Sequence, residues 1–359
     1  MKLRALQSEP RRICVIRTSA LGDVVHALAM VNGLRHGFPR AHIAWILHPV
    51  PYEVVRHQPV VDRFIVFPRR GGWGLLRRQL AGERYDLCLV PQVSFKASLV
   101  AALVRAEVKL GFDFRRSREL HYFFTNAHLP PRPAGHVFEQ YLEFLAYLGI
   151  QNYEPRWDLV LTPQERAAGE AFAAGLSGPA LGLVVASSSR HKDWPPAHYA
   201  RLADAAAAQF GLVPVLVGGP GAREAAAARE IAAAARTPVV MALDGPVRTT
   251  MAKLAHCRVV VAPDTGPLHL AVALGVPTVG LYAYSDPRRC GPVKFRELLV
   301  DHHNRPGDDP ARPITRRTRP GAMATITVEE VLARVELALT MAGGNEEPHT
   351  SHGAATLVQ

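Results

Sequence analysis

Asp23 is an ionisable residue that follows the strand-like run and Arg17 in "RTSALGDVVH", residues 17–26. The run before it reads as a buried strand and the run after it as an amphipathic helix, with Gly22 allowing a tight turn between them. A carboxylate at such a turn can cap the free N–H groups of the helix. It can also take a proton from an attacking hydroxyl. These residues alone leave both roles open.

Two further turns carry chemistry. In "VVASSSRHKDWPPAHYARLA", residues 184–203, a strand ends in three serines and Lys192 precedes a helix. Hydroxyls and a flexible ammonium are suitable donors for a diphosphate, although a loop lysine can simply be solvated. In "VVVAPDTGPLHLAVALGVPTVGLY", residues 259–282, a buried strand delivers Asp264, Thr265 and Gly266 onto a helix with Pro267 in its first turn. Free N–H groups and the helix dipole favour an anion there. Asp264 would repel a phosphate, so its expected role is to hold the loop or hydroxyl groups. His269, one turn on, is either a ligand contact or a packed, hydrogen-bonded histidine.

The elements that must position these turns alternate along the chain. Residues 12–17, 41–47, 63–67, 85–91 and 108–112 read as short strands, with helical periodicity at 24–37, 96–106 and 136–150. "QNYEPRWDLVLTPQE", residues 151–165, loses that periodicity and reads as an interdomain linker. A second alternation follows, with strands at 180–187, 212–219, 238–243, 258–264 and 277–282 and helices at 197–209, 222–235 and 248–256. Residues 327–344 open on a Thr-x-x-Glu capping box and read as a final helix. The polar tail 344–359 is expected to be disordered. The expected class is therefore α/β, two facing doubly wound domains covering 1–155 and 156–326, then a helix over 327–343.

Composition narrows the partners. The chain has 359 residues, 48% apolar and 20% charged, which suits a soluble globular protein. No apolar run reaches the roughly 18 residues that span a bilayer. The first twelve residues lack an apolar h-region, so no secretory signal is expected. Cys14, Cys88, Cys257 and Cys290 form no C-x-x-C pair and read as reduced, mostly buried thiols of a cytosolic protein. Residues 1–160 carry 22 Lys+Arg against 13 Asp+Glu, a net +9, and the remainder 20 against 18, a net +2. A basic first half implies an anionic partner: nucleic acid, an acidic lipid surface or a phosphorylated substrate. Only 7% of residues are aromatic and no nucleic-acid-binding motif is present, so nucleic acid is not the expected partner.

"IRTSALGDVVH", "SSSRHKDWP" and "DTGPLHLAVALGVPTVGLYAYSDP", in this order and spacing, resemble the family 9 glycosyltransferases, the lipopolysaccharide heptosyltransferases. The likeness runs from about residue 12 to 300. It includes "PQVSFKAS", "GFDFRRSRE", "YFFTN" and "GHVFEQYLEFLAYLG", which look most like the heptosyltransferase I branch, adding the first heptose to the Kdo of the inner core. The resemblance implies a GT-B fold, two Rossmann-like domains with the active site in the interdomain cleft. It implies inverting, metal-independent transfer with no cofactor, and the chain carries no D-x-D signature. Asp23 matches the catalytic base. Ser187, Ser188 and Lys192 match donor-diphosphate positions, and Asp264, Thr265, Gly266 and His269 match the donor loop. Arg69, Arg70, Lys96, Arg118 and His136 lie in segments resembling the acceptor side.

The implied partners are a nucleotide-sugar, ADP-heptose, and an anionic lipid A–Kdo glycolipid, met peripherally at the cytoplasmic face of the inner membrane. Two stretches depart from the family pattern. "GGPGARE" offers only Glu224 near the expected ribose position, and "VRTTMAKL" replaces the family's "TSL". Both touch nucleotide recognition, so another nucleotide-sugar or a non-Kdo acceptor is the second reading. An inactive binding module is disfavoured by the presence of both Asp23 and Lys192.

Overall fold

The computed structural model describes residues 8–305, 307–309, 312–314 and 316–343. Its strands form two parallel six-stranded sheets. The first contains β1 (Arg12–Ile16), β2 (His42–Leu47), β3 (Arg63–Val66), β4 (Tyr85–Leu89), β5 (Ala106–Gly111) and β6 (Ala127–His128), in the order β3-β2-β1-β4-β5-β6. The second contains β7 (Ala180–Val184), β8 (Val213–Val217), β9 (Val240–Ala242), β10 (Cys257–Pro263), β11 (Thr278–Tyr282) and β12 (Val300–Asp301), in the order β12-β11-β10-β7-β8-β9. Numbered from its own first strand, each sheet has the Rossmann order 3-2-1-4-5-6. The order reverses between β1 and β4 in one sheet and between β7 and β10 in the other. All three chemistry-bearing turns follow strands that flank these switch points, where open α/β sheets bind ligands.

Burial explains the strands. Ile13–Ile16 and Val259–Ala262 are wholly buried, as parallel strands covered on both faces must be. The helix Leu21–Gly37, expected to be amphipathic, is buried on every side from Val24 to Leu34. It lies under the first sheet and also packs against the helices Val137–Tyr147 and Gly266–Ala273, the latter from the second half. It has no solvent face to be polar.

The expected linker is shorter and tighter than its sequence suggests. The helix Pro163–Ala174 starts inside it, opened by Thr162 and Glu165 bonding to each other's backbone N–H. Ahead of that helix, Asn32 donates to the carbonyls of Arg156 and Trp157, both at 2.9 Å, and Trp157 is buried beside Phe138. Arg248 locks the halves together. Its guanidinium donates to both Glu165 oxygens, to the Val54 carbonyl at 3.0 Å and to the Val160 carbonyl at 2.8 Å. That pairing holds the Glu165 carboxyl down at about 2.

The final helix, Val328–Gly343, packs Val331, Val335 and Ala338 into the core of the second half. Thr327 and Glu330 complete its capping box. The tail expectation for 344–359 lies outside the described residues. All four cysteines are free and buried.

Candidate active site

Asp23 sits in the first turn of the Leu21–Gly37 helix, three residues after Ala20. The Ala20 N–H donates to Asp23 Oδ2 at 3.4 Å, so the carboxylate does cap loosely. It does more than that: its side chain is 31% exposed, lines a cleft of about 770 Å³, and forms an ion pair with Arg17. Arg17 ends the β1 run, nearly buried, with its guanidinium 5.7 Å from the Tyr141 ring centre. The loop between them is pinned by Gln92, whose Oε1 accepts from the Thr18 N–H at 2.7 Å and the Thr18 hydroxyl at 3.0 Å. A carboxylate fixed this way keeps one face toward the cleft.

The second half gives the cleft Arg289, Ile314 and Arg316, whereas Ser187, Ser188, Lys192, Asp264, Thr265, Gly266 and His269 are not among its lining residues and gather behind it. Asp264 ends the β10 segment and is 9% exposed. Its Oδ2 accepts from Lys192 Nζ at 2.7 Å and from the Ser285 hydroxyl at 2.8 Å. Burial would push this carboxyl up, but the His269 and Lys192 contacts outweigh it and hold Asp264 well below the usual carboxylate range. Thr265 caps the Gly266–Ala273 helix, its hydroxyl accepting from the Leu268 N–H at 3.4 Å. The serine cluster is self-bonded. The Ser187 hydroxyl donates to the Ser189 carbonyl at 2.6 Å, while Ser188 is exposed.

The two helix starts meet directly. A side chain added at Gly22 would collide with the His269 ring, and one at Gly266 would lie 2.8 Å from Leu21 Cδ2. The Asp23 turn and the Asp264–His269 turn are therefore neighbours across the interdomain seam. His269 is buried there against His26, ring centres 4.5 Å apart, with its Nε2 3.7 Å from Asp264 Oδ1.

The residues singled out for the acceptor side separate into three groups. Arg118 lines the cleft with Asp23. Arg69, Arg70 and Lys96 do not; Lys96 Nζ donates to the Arg69 carbonyl, and Arg69 and Arg70 lie exposed beside it. His136 is buried at the seam. Its Nδ1 accepts from the Phe138 N–H at 3.2 Å, so its Nε2, at 2.8 Å, donates to the Gly291 carbonyl of the second half. Burial lowers its pKa to about 4.

The cleft also holds residues that the motifs did not single out: Arg17, Arg115, Arg132 and Tyr141 from the first half and Arg289 and Arg316 from the second. Asp23 is the only acidic residue among its described lining residues. Burial, with the nearby charges of Arg118 and Arg289 added to it, lowers the pKa of Arg316. Arg289 lies two residues beyond the quoted 264–287 motif, and nothing in sequence ties Arg316 to Asp23. Glu224 folds its carboxylate over Gly221, the N-cap of the helix Ala222–Ala234, and Arg223 bridges Asp193 at 2.8 Å and the Ser187 carbonyl. Among the described residues, no group of His, Cys, Asp and Glu is arranged to hold a metal ion.

A profile described as glycosyltransferase family 9 (heptosyltransferase) matches residues 73–312. The lipopolysaccharide core heptosyltransferase OpsX of Haemophilus influenzae is 31% identical over 295 residues, 81% of this chain and 84% of that protein. Among solved structures, a family 9 glycosyltransferase from Veillonella parvula superposes with a TM-score of 0.80 at 21% identity, over 95% of this chain and 99% of that one. The E. coli heptosyltransferase WaaC with ADP gives 0.70 at 22% identity, over 93% and 99%. Two facing Rossmann sheets with a cleft between them make a GT-B glycosyltransferase, and this chain belongs to glycosyltransferase family 9, the heptosyltransferases.

Proposed function

We propose that the protein moves a heptose from ADP-heptose to the Kdo of a lipid A–Kdo acceptor in lipopolysaccharide core synthesis, with inversion and without a metal. The observation that carries this reading is the Asp23 carboxylate, anchored by Arg17 and open to the cleft beside the Asp264–His269 turn. Asp23 takes the proton of the acceptor hydroxyl as its oxygen bonds to C1 of the sugar. The bond from C1 to the diphosphate oxygen breaks on the opposite face, and ADP leaves with the electron pair.

The second domain, read as 156–326 against 1–155 for the first, holds the donor. Lys192, Ser187 and Ser188 face the diphosphate, and Thr265 and Gly266 present the helix start. Asp264 holds Lys192 in place, and His269 braces Asp264 against the first domain. Lys192, with Arg289 and Arg316 of the same half, neutralises the departing diphosphate. Arg118, with Arg69, Arg70 and Lys96 farther out, serves the acceptor, and His136 fixes the seam behind it. The enzyme works peripherally at the cytoplasmic face of the inner membrane, and nucleic acid is not its partner.

The altered 218–224 and 247–254 stretches favour one second reading, a family 9 transferase with a different nucleotide-sugar. Thermal shift against ADP, UDP and GDP tests the donor class, because a ligand of the native state raises stability by mass action. Stabilisation by ADP alone supports the first reading. Turnover with ADP-heptose that survives EDTA supports the metal-free mechanism, and loss restored by magnesium overturns it.

A further inference from the structure

Among the described residues, six large apolar side chains are broadly exposed: Val50, Phe95, Phe114, Leu120, Phe123 and Met241. Single exposed apolar residues are ordinary, but clustered ones mark interaction surfaces. Four of the six fall within residues 95–123, and contacts tie them into one face. Phe114 meets Tyr122 edge-on at 5.4 Å, and Tyr122 meets Phe123 at 5.9 Å. The Phe95 N–H donates to Glu119 Oε2 at 2.7 Å, fastening the start of the Phe95–Leu103 helix to the turn that carries Leu120. Phe114 and Phe123 are 67% and 72% exposed, so these rings are offered to solvent rather than packed.

The charges around this face are mainly positive. Arg115 and Arg118 are exposed on the same loop as Phe114. Lys96 follows Phe95 and, through the Arg69 carbonyl, brings exposed Arg69 and Arg70 alongside. Glu119, the nearby acid, already accepts the Phe95 N–H. Aromatic rings interleaved with cations suit the headgroup region of an anionic bilayer, where rings insert and cations meet phosphates. The face is also continuous with the cleft, since Phe112, Arg115 and Arg118 line it. No helix among the described residues is long and apolar enough to cross a membrane.

We infer that Phe95, Phe114, Leu120 and Phe123, ringed by Arg69, Arg70, Lys96, Arg115 and Arg118, seat the enzyme on an anionic phospholipid surface. Seated this way, the mouth of the cleft lies at headgroup level, where the sugar of a lipid-anchored acceptor projects. This deepens the acceptor half of the proposed function and rests on it for the reason a membrane is met.

Vesicle flotation of the full chain tests it, with phosphatidylcholine alone and with an equimolar phosphatidylcholine–phosphatidylglycerol mixture. The wild-type chain is expected to float with the mixture and not with phosphatidylcholine. Phe114→Ser/Phe123→Ser should bind the mixture about tenfold more weakly, with unchanged melting temperature. Phe114→Trp/Phe123→Trp should retain binding, and Met241→Ser, on β9 of the second sheet, should match wild type. Transfer to vesicle-embedded acceptor should fall in the serine variant while transfer to a delipidated acceptor stays unchanged. Failure to bind, equal binding to both vesicles, or a serine variant that binds like wild type overturns the inference. So does a wild-type dimer that the serine pair converts to monomer, which gives the face to a second copy. If no sugar is transferred to either acceptor but the vesicle pattern holds, the reading of the reaction fails and the membrane surface stands.

Discussion

At the residue scale, Asp23 is both a loose cap and a cleft carboxylate, and the two roles predict different losses. Asp23→Asn keeps the geometry and the Ala20 contact but cannot accept the proton, so kcat should fall by about 10²–10⁴. Its melting temperature and ADP binding should hold. Early melting with turnover retained would make capping the whole of its function. Lys192 predicts a different pattern. Removing a charge-assisted contact costs roughly 1.5–3 kcal/mol, so Lys192→Ala should weaken ADP about 10- to 150-fold and adenosine far less. Titration calorimetry with both ligands separates the two, and equal losses would remove Lys192 from the diphosphate.

At the element scale, the seam between the helix starts depends on two glycines. An alanine at Gly22 must push the His269 ring away, and displacing reacting groups by about 1 Å can cost on the order of 10² in rate. Gly22→Ala should therefore lower kcat and also cost about 1–3 kcal/mol of stability, as overpacking a buried contact does, read by kinetics and calorimetry together. His136 gives the seam a pH response. Its folded pKa of about 4 lies below the usual value of about 6.5, so between these values the unfolded chain binds more protons. Stability should fall as pH drops through that window, by at most about 1.4 kcal/mol per unit from this group. Protonating Nδ1 also sets it against the Phe138 N–H that it now accepts from. His136→Asn retains a capping acceptor without titrating, so its urea-unfolding profile against pH should be flatter than wild type. An identical slope would place the acid sensitivity elsewhere.

At the scale of the whole molecule, the charge divides by function. The cleft gathers arginines from both halves around the Asp23 carboxylate, whereas the Lys192–Asp264 contact is close and part-buried. Exposed charges are screened over about 10 Å at 0.1 M salt, and buried contacts much less. Raising salt from about 50 to about 500 mM, or about 14 to 4 Å of screening length, should raise the acceptor KM more than the donor KM. Arg118→Ala should raise the acceptor KM and flatten that dependence while leaving ADP binding intact. Steady-state kinetics with each substrate varied in turn decides this, and an acceptor KM indifferent to salt makes the arginines a general surface property.

The sequence by itself determined the elements and the three turns. Buried parallel strands are continuous apolar runs, and their alternation with helices made both doubly wound halves legible. The turns after β1, β7 and β10 were legible too, because polar residues directly after a buried apolar strand stand out in sequence; what chemistry they perform is a proposal. The helices Pro49–Val55, Trp73–Leu80 and Pro163–Ala174 were not read, being short or nearly lacking an apolar face. The tertiary structure alone decided who meets whom. Local pattern could not say that Gly22 must be bare because His269 packs on it, nor that His136 bonds Gly291 across 155 residues of chain. It gave Arg289 and Arg316 no tie to Asp23, and the family resemblance grouped Arg69, Arg70 and Lys96 with Arg118 although only Arg118 lines the cleft. The physical reason is range: periodicity and capping are set by neighbours within a turn or two, whereas a cleft is made where two sheets' carboxyl ends face each other.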